Sequence, residues 1–172
     1  MEHAIRRAAQ GDEAALALVA QAVFLETFAG DVDGQDIIAH VRAKCGEDYF
    51  RAALCAPKGA LWLAELAPGA APIGYAQITA PDLPVETEPT DLELKRIYLL
   101  PRFHGGGAGR ELMDAALAFA REAGAPRLLI GVKADNNRAL SFYRRVGFVD
   151  IGERVFQVGA NRYHDLVLAR VL

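Results

Sequence analysis

The sequence predicts an α/β (α+β) protein, a mixed central sheet of about seven strands with helices on both faces. Three observations carry this. Apolar residues switch between helical and strand periodicity along the whole 172-residue chain. The strand Leu128-Leu129-Ile130-Gly131-Val132 is apolar without alternation, as a strand covered on both faces must be. Turn signals rich in glycine, proline and asparagine punctuate the changes of period.

Ala4 to Ala8 reads as an opening strand closed at Gly11-Asp12. Asp12 is placed to N-cap a helix in which Leu16, Val19, Ala20, Val23 and Phe24 recur at helical spacing. A second helical stretch follows Gly34, and a third is suggested from Tyr49 to Leu54. Leu61 to Leu66 and Ile73 to Ile78 form a hairpin around Pro68-Gly69, and the acidic, proline-punctuated stretch Pro81 to Pro89 is a loop. Leu92 to Leu99 is the next strand. A glycine-rich turn leads from it into a helix that buries Leu112, Ala116, Phe119 and Ala120. After the strand at Leu128, Asn136 or Asn137 caps another helix, with Ala139, Phe142 and Val146 on one face and a left-handed C-cap at Gly147. Two strands close the chain, Phe148 to Val158 and Arg162 to Val171, joined at Gly159-Ala160-Asn161. The order is β-α-α-β-β-β-α-β-α-β-β. No repeat, low-complexity tract or linker divides it, so residues 1–172 read as a single domain.

With 52% hydrophobic and 24% charged residues the chain has enough apolar surface to offset its ordering entropy, which excludes a disordered protein. Its net charge of −3 argues against a nucleic-acid partner. The longest apolar stretch, Ala14 to Leu25, is too short for a membrane span and is interrupted by Gln21. The charged N-terminus has no apolar run behind it, so a cytoplasmic protein with no membrane partner is expected. Cys45 and Cys55 belong to no metal-ligand pattern; no metal is expected, and both read as free thiols, buried or half-buried.

The turn His104-Gly105-Gly106-Gly107-Ala108-Gly109 would expose backbone N–H groups at a helix N-terminus, an arrangement that attracts phosphates. A nucleotide-triphosphate loop would need Gly-Lys-Ser/Thr at its end, and Gly109 is followed by Arg110-Glu111. A GxGxxG fingerprint fails too, because Arg110 or Leu112 falls at the third glycine. A pyrophosphate loop of the form (Gln/Arg)-x-x-Gly-x-Gly/Ala remains, as does a glycine turn with no ligand. A second block, Asn136 to Phe148, has the form NxxAxxFYxxxGF.

Together with the strand Asp91-Leu92-Glu93-Leu94-Lys95-Arg96-Ile97-Tyr98-Leu99-Leu100-Pro101, these blocks resemble the GNAT superfamily of acyl-CoA-dependent N-acetyltransferases. Phe24 to Phe28 and Lys95 to Leu99 are similar to bacterial polyamine-type members. The resemblance implies acetyl-CoA as cosubstrate and direct attack by a primary amine of a small molecule in a ternary complex. A protein N-terminus or lysine as acceptor, and an acyl-CoA-binding protein without turnover, are the alternatives. A homodimer is the assembly frequent in the family. The implied pantetheine site is the backbone of Ile97, Tyr98 and Leu99, opposite Leu128 to Val132. The implied pyrophosphate site is the amide run His104, Gly105, Gly106, Gly107, Ala108, Gly109 and Arg110. Arg110 or Arg138 is in range of the 3′-phosphate, and Asn136 caps its helix and bonds the cofactor.

Tyr143 is the implied general acid, because a phenol keeps its proton at neutral pH and can give it to a thiolate; a core tyrosine is the competing reading. Glu93 is the candidate base, directly or through water, against a solvated or Lys95-paired carboxylate. Alternation puts it on one side with Lys95, Ile97 and Leu99. His104 replaces the family's Gln/Arg. It has no permanent charge, so cofactor affinity is expected to fall as pH rises through its pKa. His164, Asp165, Glu26 and Phe28 are candidate acceptor-pocket residues, each with a structural alternative. His3 and His40 read as surface positions, and Arg144-Arg145 as a solvated helix face.

Overall fold

The computed structural model describes residues 2–159 and 161–172. The elements run β1 (His3–Arg7), α1 (Glu13–Phe28), α2 (Gly34–Lys44), α3 (Glu47–Leu54), β2 (Ala60–Leu66), β3 (Ala71–Thr79) and β4 (Leu92–Leu99). A 3-10 turn (Pro101–Phe103) leads to α4 (Ala108–Glu122), β5 (Arg127–Lys133), α5 (Asn137–Arg145), β6 (Val149–Val158) and β7 (Asn161–Val171). One mixed sheet takes the order β1-β2-β3-β4-β5-β7-β6, with β4 and β5 its parallel pair. This is the fold class the periodicity predicts. Ala160, in the last predicted turn, lies outside the described residues.

Each face of the sheet has its own core. Leu112, Met113 and Ala116 of α4 and Leu140 of α5 pack with Leu92, Leu94, Leu128 and Ile130 on one face. On the other, Leu16, Val19 and Val23 of α1 and Phe50 of α3 pack with Leu61, Leu63 and Tyr75. A smaller cluster joins Phe24 and Phe28 of α1 and Ile37 of α2 to Val158 at the tip of β6.

Several local expectations are corrected. The Asp12 carboxylate makes no cap bond to α1; it accepts from the Ala9 amide (2.8 Å) and two Arg6 nitrogens (2.8 Å each), an ion pair outcompeting the cap. Cys55 is exposed, whereas Cys45 is buried. His40 is no plain surface residue: its ring stacks on Phe24 at 4.2 Å, and burial lowers its pKa. His3 is only 16% exposed and bonds Glu111 at 3.1 Å. On α5 the buried side chains are Leu140 and Tyr143, while Phe142 and Ala139 are half-buried.

The decisive correction concerns β4. Its register against β3 passes from Ile78↔Leu94 to Gln77↔Arg96, leaving Lys95 as the extra residue of a bulge. Alternation therefore restarts there. Leu92, Leu94, Ile97 and Leu99 face α4, while Tyr98 packs on the α1–α3 side. Glu93 shares that second side, not the side of Ile97 and Leu99.

Candidate active site

β4 and β5 are paired only at Leu92↔Leu128 and Glu93↔Leu129. Beyond Glu93 β4 keeps its ladder to β3, and beyond Leu129 β5 keeps its ladder to β7, so the sheet opens between them. The Leu100 amide donates to Ile73 O (2.8 Å), toward β3. Alternation along β4 then turns the N–H and C=O groups of Ile97 and Leu99 into the opening and those of Tyr98 back toward β3.

The glycine turn stands at the mouth of this opening. Gly105 and Gly107 have φ of 82° and 97°, the left-handed region that glycine enters without strain, and α4 starts directly after Gly107. The His104 amide donates to Pro101 O (3.0 Å), and the Arg110 amide to Gly107 O (2.9 Å). The amides of Gly105, Gly106, Gly107, Ala108 and Gly109 donate to no acceptor among the described residues. The free donors are thus a shorter run than His104–Arg110, and the Arg110 guanidinium is held by Asp114 (2.9 Å).

His104 turns inward. Its Nε2 lies 2.8 Å from Leu99 O, and since a carbonyl only accepts, Nε2 carries the proton. The bare strand edge explains this: Leu99 O has no partner strand, and the imidazole supplies a donor. Nδ1 is buried without a partner among the described residues, and desolvation lowers the His104 pKa. The ring is therefore neutral at neutral pH. Titration of this ring falls on the acid side of the ordinary histidine range.

Tyr143 is buried beside Phe148, with ring centroids 5.9 Å apart. Its hydroxyl bonds to no described residue. Burial pushes its pKa upward, helped by the nearby Tyr98 phenol, so it stays protonated. The Asn136 side chain accepts from the Ala139 amide (3.1 Å), which fixes the start of α5. Glu93 is 1% exposed; one oxygen accepts from the Asp82 amide (2.7 Å) and the other lies 3.4 Å from Lys95 Nζ. Its paired reading is realised, and it also ties down the loop before β4.

On the α1–α3 side of the opening, Asp165 is buried and paired with Arg154 (Nε to Oδ2, 3.0 Å), while desolvation raises its pKa. His164 pairs instead with the exposed Glu153 (2.9 Å), and Phe28 belongs to the α1–α2 cluster. Arg154 belongs to no motif in the sequence. Its signal was Gly131, a lone glycine in an apolar strand, which marks a close approach: a Cβ there would lie 2.6 Å from the Arg154 guanidinium carbon. A cleft of about 120 Å³ near His3, Phe103 and His104 lies under the start of α4, away from this side.

Residues 35–148 match the model of the acetyltransferase (GNAT) family. An uncharacterized N-acetyltransferase of Mycobacterium tuberculosis is 40% identical over 100 residues, covering 58% of this chain and 60% of the relative. The N-alpha-acetyltransferase RimI of the same species is 37% identical over 94 residues, 53% of this chain and 56% of that one. The chain thus spans about three-fifths of the length of these curated relatives. The crystal structure of PaiA N-acetyltransferase from Thermoplasma acidophilum in complex with coenzyme A superposes with a TM-score of 0.75 over 100% of both chains, at 19% identity, a likeness of fold. The matched segment takes in the bulged strand, the glycine turn and Tyr143, and by that match the chain belongs to the acetyltransferase (GNAT) family.

Proposed function

We propose that the protein transfers an acetyl group from acetyl-CoA to the primary amine of a small molecule, by direct attack in a ternary complex. The observation that carries this is the opening between β4 and β5, bordered by glycine amides with no partner among the described residues. Acetyl-CoA bound there supplies an activated thioester and a thiolate leaving group. The amides of Gly105 to Gly109 and the positive end of α4 suit its pyrophosphate. The Ile97 and Leu99 edge suits the pantetheine amides, and the Ile97 N–H, which turns into the opening, would polarise the thioester oxygen.

The amine approaches from the α1–α3 side, which the bulge at Lys95 gives to Tyr98 and Glu93. Its nitrogen forms the new N–C bond as the C–S bond breaks. Tyr143 gives its proton to the departing sulfur and regains one from solvent. The surplus proton of the amine leaves through water toward Glu93, whose oxygens are already engaged by Lys95 and the Asp82 amide. A direct transfer to Glu93 would break those contacts, which favours the relayed route.

A protein N-terminus is the second reading, favoured by the likeness to RimI. Release of CoA measured across a panel of small amines and short peptides separates the two. Turnover of small amines is the expected result. Turnover of peptides alone moves the acceptor to the second reading, and acetyl-CoA binding without turnover on either set removes the enzymatic function.

A further inference from the structure

We propose that Arg154 sets acceptor specificity: its guanidinium, held against Gly131 on the acceptor side of the opening, pairs with a carboxylate carried by the amine. The inference rests on the small-amine reading above and narrows it to amino acids rather than polyamines.

Arg154 of β6 stands opposite Asp165 of β7, which stands opposite Lys133 of β5. Its side chain crosses β7 to reach β5. The Nε donates to Asp165 Oδ2 at 3.0 Å, and Nη2 lies 2.7 Å from where a Cβ on Gly131 would be. Only a residue without a side chain admits the guanidinium here. Ile130 and Val132 face the α4–α5 core, so Gly131 presents the other face, and it stands beyond the last residue of β5 that β4 pairs. The cation therefore lies beside the bare edge of β5, on the side from which the amine comes.

The Nε contact is its sole hydrogen bond among the described residues, so both Nη groups keep their donors, and the side chain is 19% exposed. Neighbouring charges are already matched. Lys133 lies between Asp31 (3.7 Å) and Asp135 (3.3 Å), and His164 is paired with Glu153. Asp165, 5% exposed in its side chain, anchors one edge of the guanidinium, and Phe156 lies 5.4 Å from its centre. An arginine tethered at Nε presents its two Nη groups as a fork, the geometry that takes a carboxylate with two parallel bonds. Asp165 is a positioning residue in this arrangement, and Arg154 is the one that meets the acceptor.

The test is CoA release by the full chain with matched acceptors: an amino acid, its carboxamide and its decarboxylated amine. The amino acid is expected to have a kcat/KM about 10- to 100-fold above the other two, the range for hydrogen bonds to charged groups. Arg154→Met should collapse that ratio through the KM of the amino acid. Because this variant strands Asp165, Gly131→Ala is the companion: its Cβ displaces the guanidinium while keeping the charge, and the preference should fall severalfold. Equal kcat/KM across the matched set, or a preference that survives both variants, overturns the proposal and leaves acetyl transfer standing. No CoA release with any amine overturns both.

Discussion

Where β4 and β5 begin, they are laddered at Leu92↔Leu128 and Glu93↔Leu129, and Asp91 is fully buried beneath Arg127 with a further bond from the Glu88 amide (2.7 Å). Farther along the same strands, the N–H and C=O groups of Ile97 and Leu99 turn away from β3 into the opening, and the glycine amides beyond them have no acceptor among the described residues. One end of this strand pair satisfies its polar groups within the chain. The other leaves them open, apart from Leu99 O, which the His104 imidazole meets. A sheet split in its middle is tolerable because those groups reach water, where a missing internal bond costs only about 1 kcal/mol net. The closed end fixes the angle at which the strands part. Under the proposed function, stability and ligand binding separate along a single pair of strands, and substitutions at the two ends should report different quantities.

The largest effect is expected at the open end. Tyr143→Phe should lower kcat by roughly 10²–10⁴ in a steady-state assay, the range for loss of a general acid; an unchanged kcat makes Tyr143 a core residue only. Next comes the closed end. Asp91→Ala leaves Arg127, which is 29% exposed, and the Glu88 amide without their shared acceptor and should remove about 2 kcal/mol of unfolding free energy in urea. Acetyl-CoA affinity of the protein that stays folded should be little altered. Loss of affinity with no loss of stability would reverse the comparison. Gly107→Asp should weaken acetyl-CoA binding about tenfold or more by calorimetry, since like charges some 4 Å apart repel by a few kcal/mol near a protein surface. Equal affinity would contradict the loop assignment.

The smallest effect is at His104, at the mouth of the opening. Its pKa is lowered by the fold, so the unfolded chain takes up this proton first as pH falls. The contribution to stability is present above the ordinary histidine value of about 6.5 and is lost as pH drops below it. Thermal unfolding followed against pH should show this acid loss, reduced in His104→Gln. Acetyl-CoA affinity should stay level from about pH 7 to about 8.5, because the imidazole is already neutral there.

Much of this comparison was legible in the sequence. The glycine turn, the run from Asn136 to Phe148 and the unbroken apolar strand at Leu128 each specify one local backbone form, and each formed the element expected. The side of Glu93 was not legible: a bulge at Lys95 is set by pairing with β3, and strict alternation cannot see it. The inward turn of His104 follows from the missing strand beside Leu99, a fact of topology, not of spacing. Arg154 escaped for the same reason, since β5, β6 and β7 must assemble before Gly131 and the guanidinium meet.

Amide hydrogen exchange, resolved by NMR with and without acetyl-CoA, tests the division most directly. Ligand should slow exchange at Gly105 to Gly109 and at Ile97 and Leu99, and leave Leu92, Glu93, Leu128 and Leu129 as they were. Protection spread evenly along both strands, or absent from the glycine amides at saturating acetyl-CoA, would contradict the account.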